Sequence, residues 1–314
     1  IELSLPRCEL GDSVRDLLEF LQDSCEKLQV LDIAGNKITD KCVQGVGVTP
    51  APVEEGKEPE DVTLFKFFRQ PHPTGLAGTL RKVSLGFNMF SSMNAVGFVK
   101  ACVEGGSCVC VDMSGITFSP VSTSALVDVY VEKEEPKVEE PKVEETTETT
   151  EEENKGTEDP QEEEEKKEEE PQKVEEVPKK EPRIVCVSEL IMRECGIDAK
   201  CVPIMCPMIS SGLLTGLDLS DNKIGKSSPE VVKCGITGSV KVLMLRNNKI
   251  AAAQANDVYN LFKQEEDPKE GEEGEKKEEK QEYAIQHLDL SENKLGAVKD
   301  VLATIATGFR NLKL

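Results

Sequence analysis

Four stretches of the chain read almost alike: Leu31-Asp-Ile33-Ala-Gly-Asn36-Lys-Ile38, Leu217-Asp-Leu219-Ser-Asp-Asn222-Lys-Ile224, Leu243-Met-Leu245-Arg-Asn-Asn248-Lys-Ile250 and Leu288-Asp-Leu290-Ser-Glu-Asn293-Lys-Leu295. Each has an apolar pair two residues apart, an Asn three residues further on, and an apolar residue two beyond that. Weaker copies keep the frame at Leu3/Leu5/Cys8/Leu10, Val83/Leu85/Asn88/Phe90, Val109/Val111/Ser114/Ile116 and Leu190/Met192/Cys195/Ile197. A ninth begins at Leu312-Lys-Leu314. The starts fall at 3, 31, 83, 109, 190, 217, 243, 288 and 312. Recurrence of this kind implies stacked structural repeats.

Physical chemistry gives each position a task. Alternation over Leu-x-Leu makes a short strand with two side chains facing inward. An inward Asn can bond the backbone of neighbouring turns, and Cys can fill the same slot, so the polar groups of each bend are satisfied. One unit cannot bury its own apolar face, so the units must stack into a parallel sheet with a continuous core. The rest of each unit reads as helix. Ser13–Leu21 places Val14, Leu17, Leu18 and Leu21 at helical spacing; Ala95–Val103 and Ala251–Phe262 do the same with Val96, Val99 and Val103, and with Val258, Leu261 and Phe262.

A strand followed by a helix in 26–28 residues resembles the ribonuclease-inhibitor-like class of leucine-rich repeats. The resemblance implies an α/β leucine-rich-repeat solenoid over residues 1–314, a horseshoe with a parallel concave sheet and convex helices. Bare terminal repeats expose apolar core, so the natural protein is expected to continue at both ends, or a neighbour to cover them.

Three long steps interrupt the rhythm, and each contains an acidic segment. Residues 132–182 hold 23 Asp/Glu against 9 Lys/Arg, residues 264–283 hold 10 against 4, and residues 49–72 hold 5 against 3. Together they account for the whole formal charge of −22, which leaves the repeats neutral. No basic stripe remains to suggest a nucleic-acid partner. The inserts are expected to leave one edge of the solenoid, after a helix and before the next strand. Their Glu/Lys/Pro/Thr-rich composition predicts disorder over about 132–182 and 265–282, with transient helix over 161–170. They read mainly as solvated loop expansions, with acidic bait for basic partners as the other reading. Within the first insert, Leu64-Phe65-Lys66-Phe67-Phe68 is too apolar to stay exposed and is assigned to the second unit's helix, a docking motif on a loop being the alternative.

Nothing in the chain spells out catalysis. The two histidines, His72 and His287, sit in no recognisable catalytic motif. There is no Cys-x-x-Cys, Cys108 and Cys110 belong to one strand's alternation, and no phosphate-binding Gly-x-x-x-x-Gly-Lys-Ser/Thr occurs. The expectation is a protein that is not an enzyme and takes no cofactor or metal. Eleven cysteines without a disulfide framework, and no apolar run long enough to span a bilayer, point to a cytoplasmic chain.

Surface is what remains. On the expected concave face, Phe87, Met113, Arg193, Met244 and Arg246 depart from the Asp and Ser background, and aromatic, Met and Arg side chains are typical interface anchors. These five are the candidate partner-binding residues, local packing against stripe neighbours being the competing explanation. The expected function is a non-enzymatic scaffold that holds a protein of unknown identity. Ser84-Leu85-Gly86-Phe87-Asn88 and Asp218-Leu219-Ser220-Asp221-Asn222 with Leu245–Ile250 are also similar to repeats of the CARMIL family, linkers of actin capping protein; that resemblance implies an actin regulator, although the family's capping-protein-binding tail has no match here. A third alternative is similarity to the Ran-type GTPase activators, whose Gly-Arg-Asn-Arg segment is approached by Leu245-Arg246-Asn247-Asn248 without the leading Gly and second Arg.

Overall fold

The computed structural model describes residues 1–49, 61–69, 76–131, 185–262 and 284–295. The chain divides into one unit of Ile1–Lys133 with Val185–Leu314 and a second of Glu134–Ile184. The second unit, the expected disorder over 132–182 and 265–282, the helix over 161–170, His72 and the ninth start at Leu312 all lie outside the described residues.

Eight three-residue strands form one parallel sheet in chain order: β1 (Glu2–Ser4), β2 (Val30–Asp32), β3 (Lys82–Ser84), β4 (Cys110–Asp112), β5 (Glu189–Ile191), β6 (Gly216–Asp218), β7 (Val242–Met244) and β8 (His287–Asp289). The central inward residues stand in one row: Leu3, Leu31, Val83, Val111, Leu190, Leu217, Leu243 and Leu288. Seven of these are the starts read from sequence. The fourth is corrected, since Val83 pairs with Val111 and not with Val109. That unit therefore runs Val111-Asp-Met113-Ser-Gly-Ile116-Thr-Phe118, with Met113 as its second inward residue and Ile116 in the Asn slot. Met113 and Ile116 are both buried.

The Asn side chains stitch each bend to the one before. Asn36 Oδ1 accepts from the Cys8 and Leu10 amides at 2.8 and 3.4 Å, and its Nδ2 donates to the Leu5 carbonyl. Asn88 repeats this toward Asn36 and Ile33, Asn222 toward Ile197 and Met192, and Asn293 toward Asn248, Ile250 and Leu245. Cys195 occupies the slot in the fifth unit and donates through sulfur to the Met113 and Arg193 carbonyls. Ile116 offers no such bond, so the ladder is interrupted between the Asn88 and Cys195 rungs.

The helices line the other side of the sheet: α1 (Val14–Ser24), α2 (Asp40–Gln44), α3 (Lys66–Arg69), α4 (Leu76–Thr79), α5 (Ser92–Gly105), α6 (Pro120–Tyr130), α7 (Val202–Ile209), α8 (Ser228–Thr237) and α9 (Ala252–Phe262). Their buried faces follow helical spacing, as with Val14, Leu18 and Leu21 in α1. Ser91 and Ser119 cap α5 and α6 by accepting amides three residues on, and Ser119 with Ser122 forms a capping box.

The aromatic segment is core. Phe67 and Phe68 are buried, and α3 packs between α1 and α5 as the helix of the second unit. Phe65, Phe68 and Phe90 surround Phe98 of α5 with ring centroids 4.9–5.5 Å away. Residues 50–60, outside the described residues, lie in the chain between α2 and α3.

Candidate functional site

One face of the sheet is covered by helices. The other carries the outward residues of each strand and the turn that follows. Two rows project there. The first contains Glu189, Gly216 and Val242, and the second contains Ile191, Asp218 and Met244, on β5, β6 and β7 respectively.

Most carboxylates of the second row serve the backbone. Asp32 Oδ1 accepts the Ala34 amide at 3.0 Å, Asp112 the Ser114 amide at 2.9 Å, Asp218 the Ser220 amide at 2.9 Å, and Asp289 the Ser291 amide at 2.8 Å. Each such contact closes an Asx turn where the chain leaves the strand. An acidic-looking face is in this sense structural.

Ile191 and Met244 break that row, because neither can accept an amide. They stand two strands apart, about 10 Å at ordinary strand spacing. Val242 sits beside Met244 on β7 and is 42% exposed. Asp218 stands between Ile191 and Met244, and Gly216 stands between Glu189 and Val242 with the Glu189 side chain against it, so β5–β7 carry Ile191, Val242 and Met244 interleaved with two acids. Ion pairs complete this part of the face. Arg193 Nε donates to Asp218 Oδ2 at 2.5 Å, and Arg246 pairs with Glu292. Both guanidinium groups are half exposed. The pairing with Glu292 holds Arg246 even more firmly in its charged form.

The structure thus brings Arg193, Met244 and Arg246 to one region of the open face. Phe87 lies apart, in the third unit. It is 47% exposed and adopts a φ of 55°, on the turn after β3. Met113 is a correction: it is fully buried, because the two-residue shift of its unit turns it into the core beneath the sheet. Val242 precedes the first inward Leu of its unit, outside the residues that the repeat line marks as outward-facing. Four other units hold Glu2, Lys82, Glu189 and His287 at this position and one holds Val30, so the sequence signal for Val242 is weak.

Among the described residues, no group of three or more His, Cys, Asp or Glu is placed to hold a metal ion. Nor is any described helix long and apolar enough to cross a membrane.

A family model described as leucine-rich repeat matches residues 24–45, which contain β2 and its Asn36 turn. With that model and eight units in register, the chain is a leucine-rich-repeat protein. Among solved structures it is similar to an internalin (inlF) from Listeria monocytogenes, at 11% identity and a TM-score of 0.37 over 91% of this chain. The chain spans 54% of that structure's length. No curated protein matches it significantly in sequence.

Proposed function

We propose that the protein is a non-enzymatic scaffold that docks a protein partner on the open face of β5–β7. The observation that carries this reading is the outward trio Ile191, Val242 and Met244 on β5 and β7 of the open face. Ile191 and Met244 accept no amide, whereas the acids in the equivalent positions close turns. An apolar centre ringed by Arg and carboxylate groups has the composition of a protein interface, where a few buried anchors supply most of the energy. The partner suited to it presents one or two apolar side chains to Val242 and Met244. A cytoplasmic location is part of the proposal and rests on the cysteine usage of the chain.

The test is affinity capture with the intact chain against the triple variant Ile191→Ser, Val242→Ser, Met244→Ser, with folding checked by circular dichroism. A protein retained by the intact chain should be lost from the variant and kept by the helix-side variant Phe20→Ser. Retention by the triple variant would sink the reading.

A further inference from the structure

Two thiols on neighbouring helices stand apart from the site just described. Cys206 of α7 and Cys234 of α8 are both partly exposed, unlike the buried Cys42, Cys102, Cys108, Cys110, Cys195 and Cys201. The two helices pack against each other and are locked in register near their ends. Thr237 Oγ1 donates to Ser210 Oγ at 3.3 Å. A Cβ placed on Gly238 would lie 2.3 Å from the Ile209 carbonyl oxygen, so only glycine allows the backbones to meet there. Ser210 is four residues after Cys206, and Thr237 is three after Cys234. Residues at those spacings share a helix face. The contact of Ser210 with Thr237 therefore sets Cys206 opposite Cys234 one turn earlier, and the two thiols lie within hydrogen-bonding reach.

The surroundings make the partners unequal. The neighbouring Cys206 thiol, then the Ser210 hydroxyl and Lys233, lower the Cys234 pKa. The contact with Cys234, then burial and Glu230, push Cys206 upward. A thiolate at Cys234 with a protonated thiol beside it is the arrangement of an attacking and a resolving cysteine.

We propose that Cys206 and Cys234 form an oxidation site for hydroperoxides, in which Cys234 is oxidised first and Cys206 resolves it to a reversible disulfide joining α7 to α8. In the first step the Cys234 thiolate attacks one peroxide oxygen. An S–O bond forms, the O–O bond breaks, and the leaving hydroxide takes a proton to become water. In the second step Cys206 sulfur attacks the Cys234 sulfenic sulfur. The S–S bond forms, the S–O bond breaks, and the hydroxyl leaves with the Cys206 proton as a second water. The two thiols lose two electrons and the hydrogen peroxide gains them. A dithiol reductant returns the disulfide to two thiols by exchange and is itself oxidised to a disulfide. The product clamps the fifth and sixth units, which flank the β5–β6 part of the open face.

The experiment treats the folded full chain with substoichiometric hydrogen peroxide, blocks free thiols, and reads tryptic peptides by mass spectrometry. The expected product links the Cys201–Lys223 peptide to the Cys234–Lys241 peptide with loss of two hydrogens, and it survives in Cys201→Ser. It should form at least tenfold faster than any oxidation at Cys8 or Cys25, and dithiothreitol should remove it. In Cys206→Ser, dimedone should trap a sulfenic acid on Cys234, whereas Cys234→Ser should leave Cys206 unlabelled. Oxidation of Cys8 or Cys25 while Cys206 and Cys234 stay reduced would overturn the proposal. So would a 206–234 link that forms only in denaturant.

Discussion

The ring of Phe87 lies over Gly115, the residue at the equivalent turn position of the next unit. Both adopt a left-handed backbone, with φ of 55° and 73°. A Cβ on Gly115 would come within 2.4 Å of the ring. The same turn position has positive φ in every described unit, at Arg7, Gly35, Phe87, Gly115, Glu194, Asp221, Asn247 and Glu292. Phe87 is therefore partly a packing residue, tied to its neighbour in the stack, and it shows only its other side to solvent.

This contact can be measured by a double-mutant cycle. Gly115→Ala alone must pay for the left-handed backbone, about 1–2 kcal/mol, and must also displace the ring. In a Phe87→Ala background only the backbone cost remains. Urea denaturation should show a coupling of about 1 kcal/mol between the two sites, whereas independent sites would add.

The Asn ladder predicts a second cost. Asn222→Ala leaves the Ile197 amide and the Met192 carbonyl without their partner inside the core. The expected loss is about 2–4 kcal/mol, since each buried orphan costs about 1–3 kcal/mol. A Lys223→Ala change on the neighbouring exposed position serves as the control and should cost far less in the same denaturation assay.

How the sequence misled at one unit follows from side-chain alternation. Cys108-Val-Cys-Val111 alternates without a break, and a slip of two residues keeps every side chain on the same face. Ser114 then falls in the polar slot and Ile116 in the final apolar one, so the wrong frame fits. Only the wording of the turn distinguishes them: Val111-Asp-Met113-Ser-Gly115 matches Leu31-Asp-Ile33-Ala-Gly35. The starts at 31, 83, 217, 243 and 288 were legible because an apolar pair followed by Asn leaves little freedom, those at 3 and 190 because Cys keeps the same frame, and the Phe65–Phe68 segment because its apolar content demands a core. The site was less legible. Arg193, Met244 and Arg246 fall on one region, yet the pairing of the two arginines with Asp218 and Glu292 depends on lateral neighbours that no single unit encodes.

Phe98 tests whether the aromatic segment is structural. Removing its ring opens a cavity beside Phe65, Phe68 and Phe90. Phe98→Ala should cost about 3–5 kcal/mol. A loss below 1 kcal/mol by thermal or urea unfolding would mean that α3 is not packed on α5.

Tyr130 gives a prediction in pH. Burial raises its pKa well above 10, with the nearby Cys186, Cys102 and Cys108 adding to the effect, and its hydroxyl donates to the Val187 carbonyl at 3.0 Å. The folded form thus favours the neutral phenol. That contribution is fully present below pH 10, the unfolded value, and is lost as pH rises toward the folded pKa. Absorbance titration at alkaline pH should show Tyr130 ionising only with unfolding, and Tyr130→Phe should flatten the decline in stability above pH 10.

The central claim is that a protein docks on the open face of β5–β7. It is tested most directly by placing a photo-crosslinking amino acid at Met244 and, separately, at Phe20 on the helix side. The account predicts a discrete crosslinked protein from position 244, reduced at least tenfold when Ile191 and Val242 are changed to Ser, and none from position 20. The same adduct from position 20, or no discrete adduct from position 244, would contradict it.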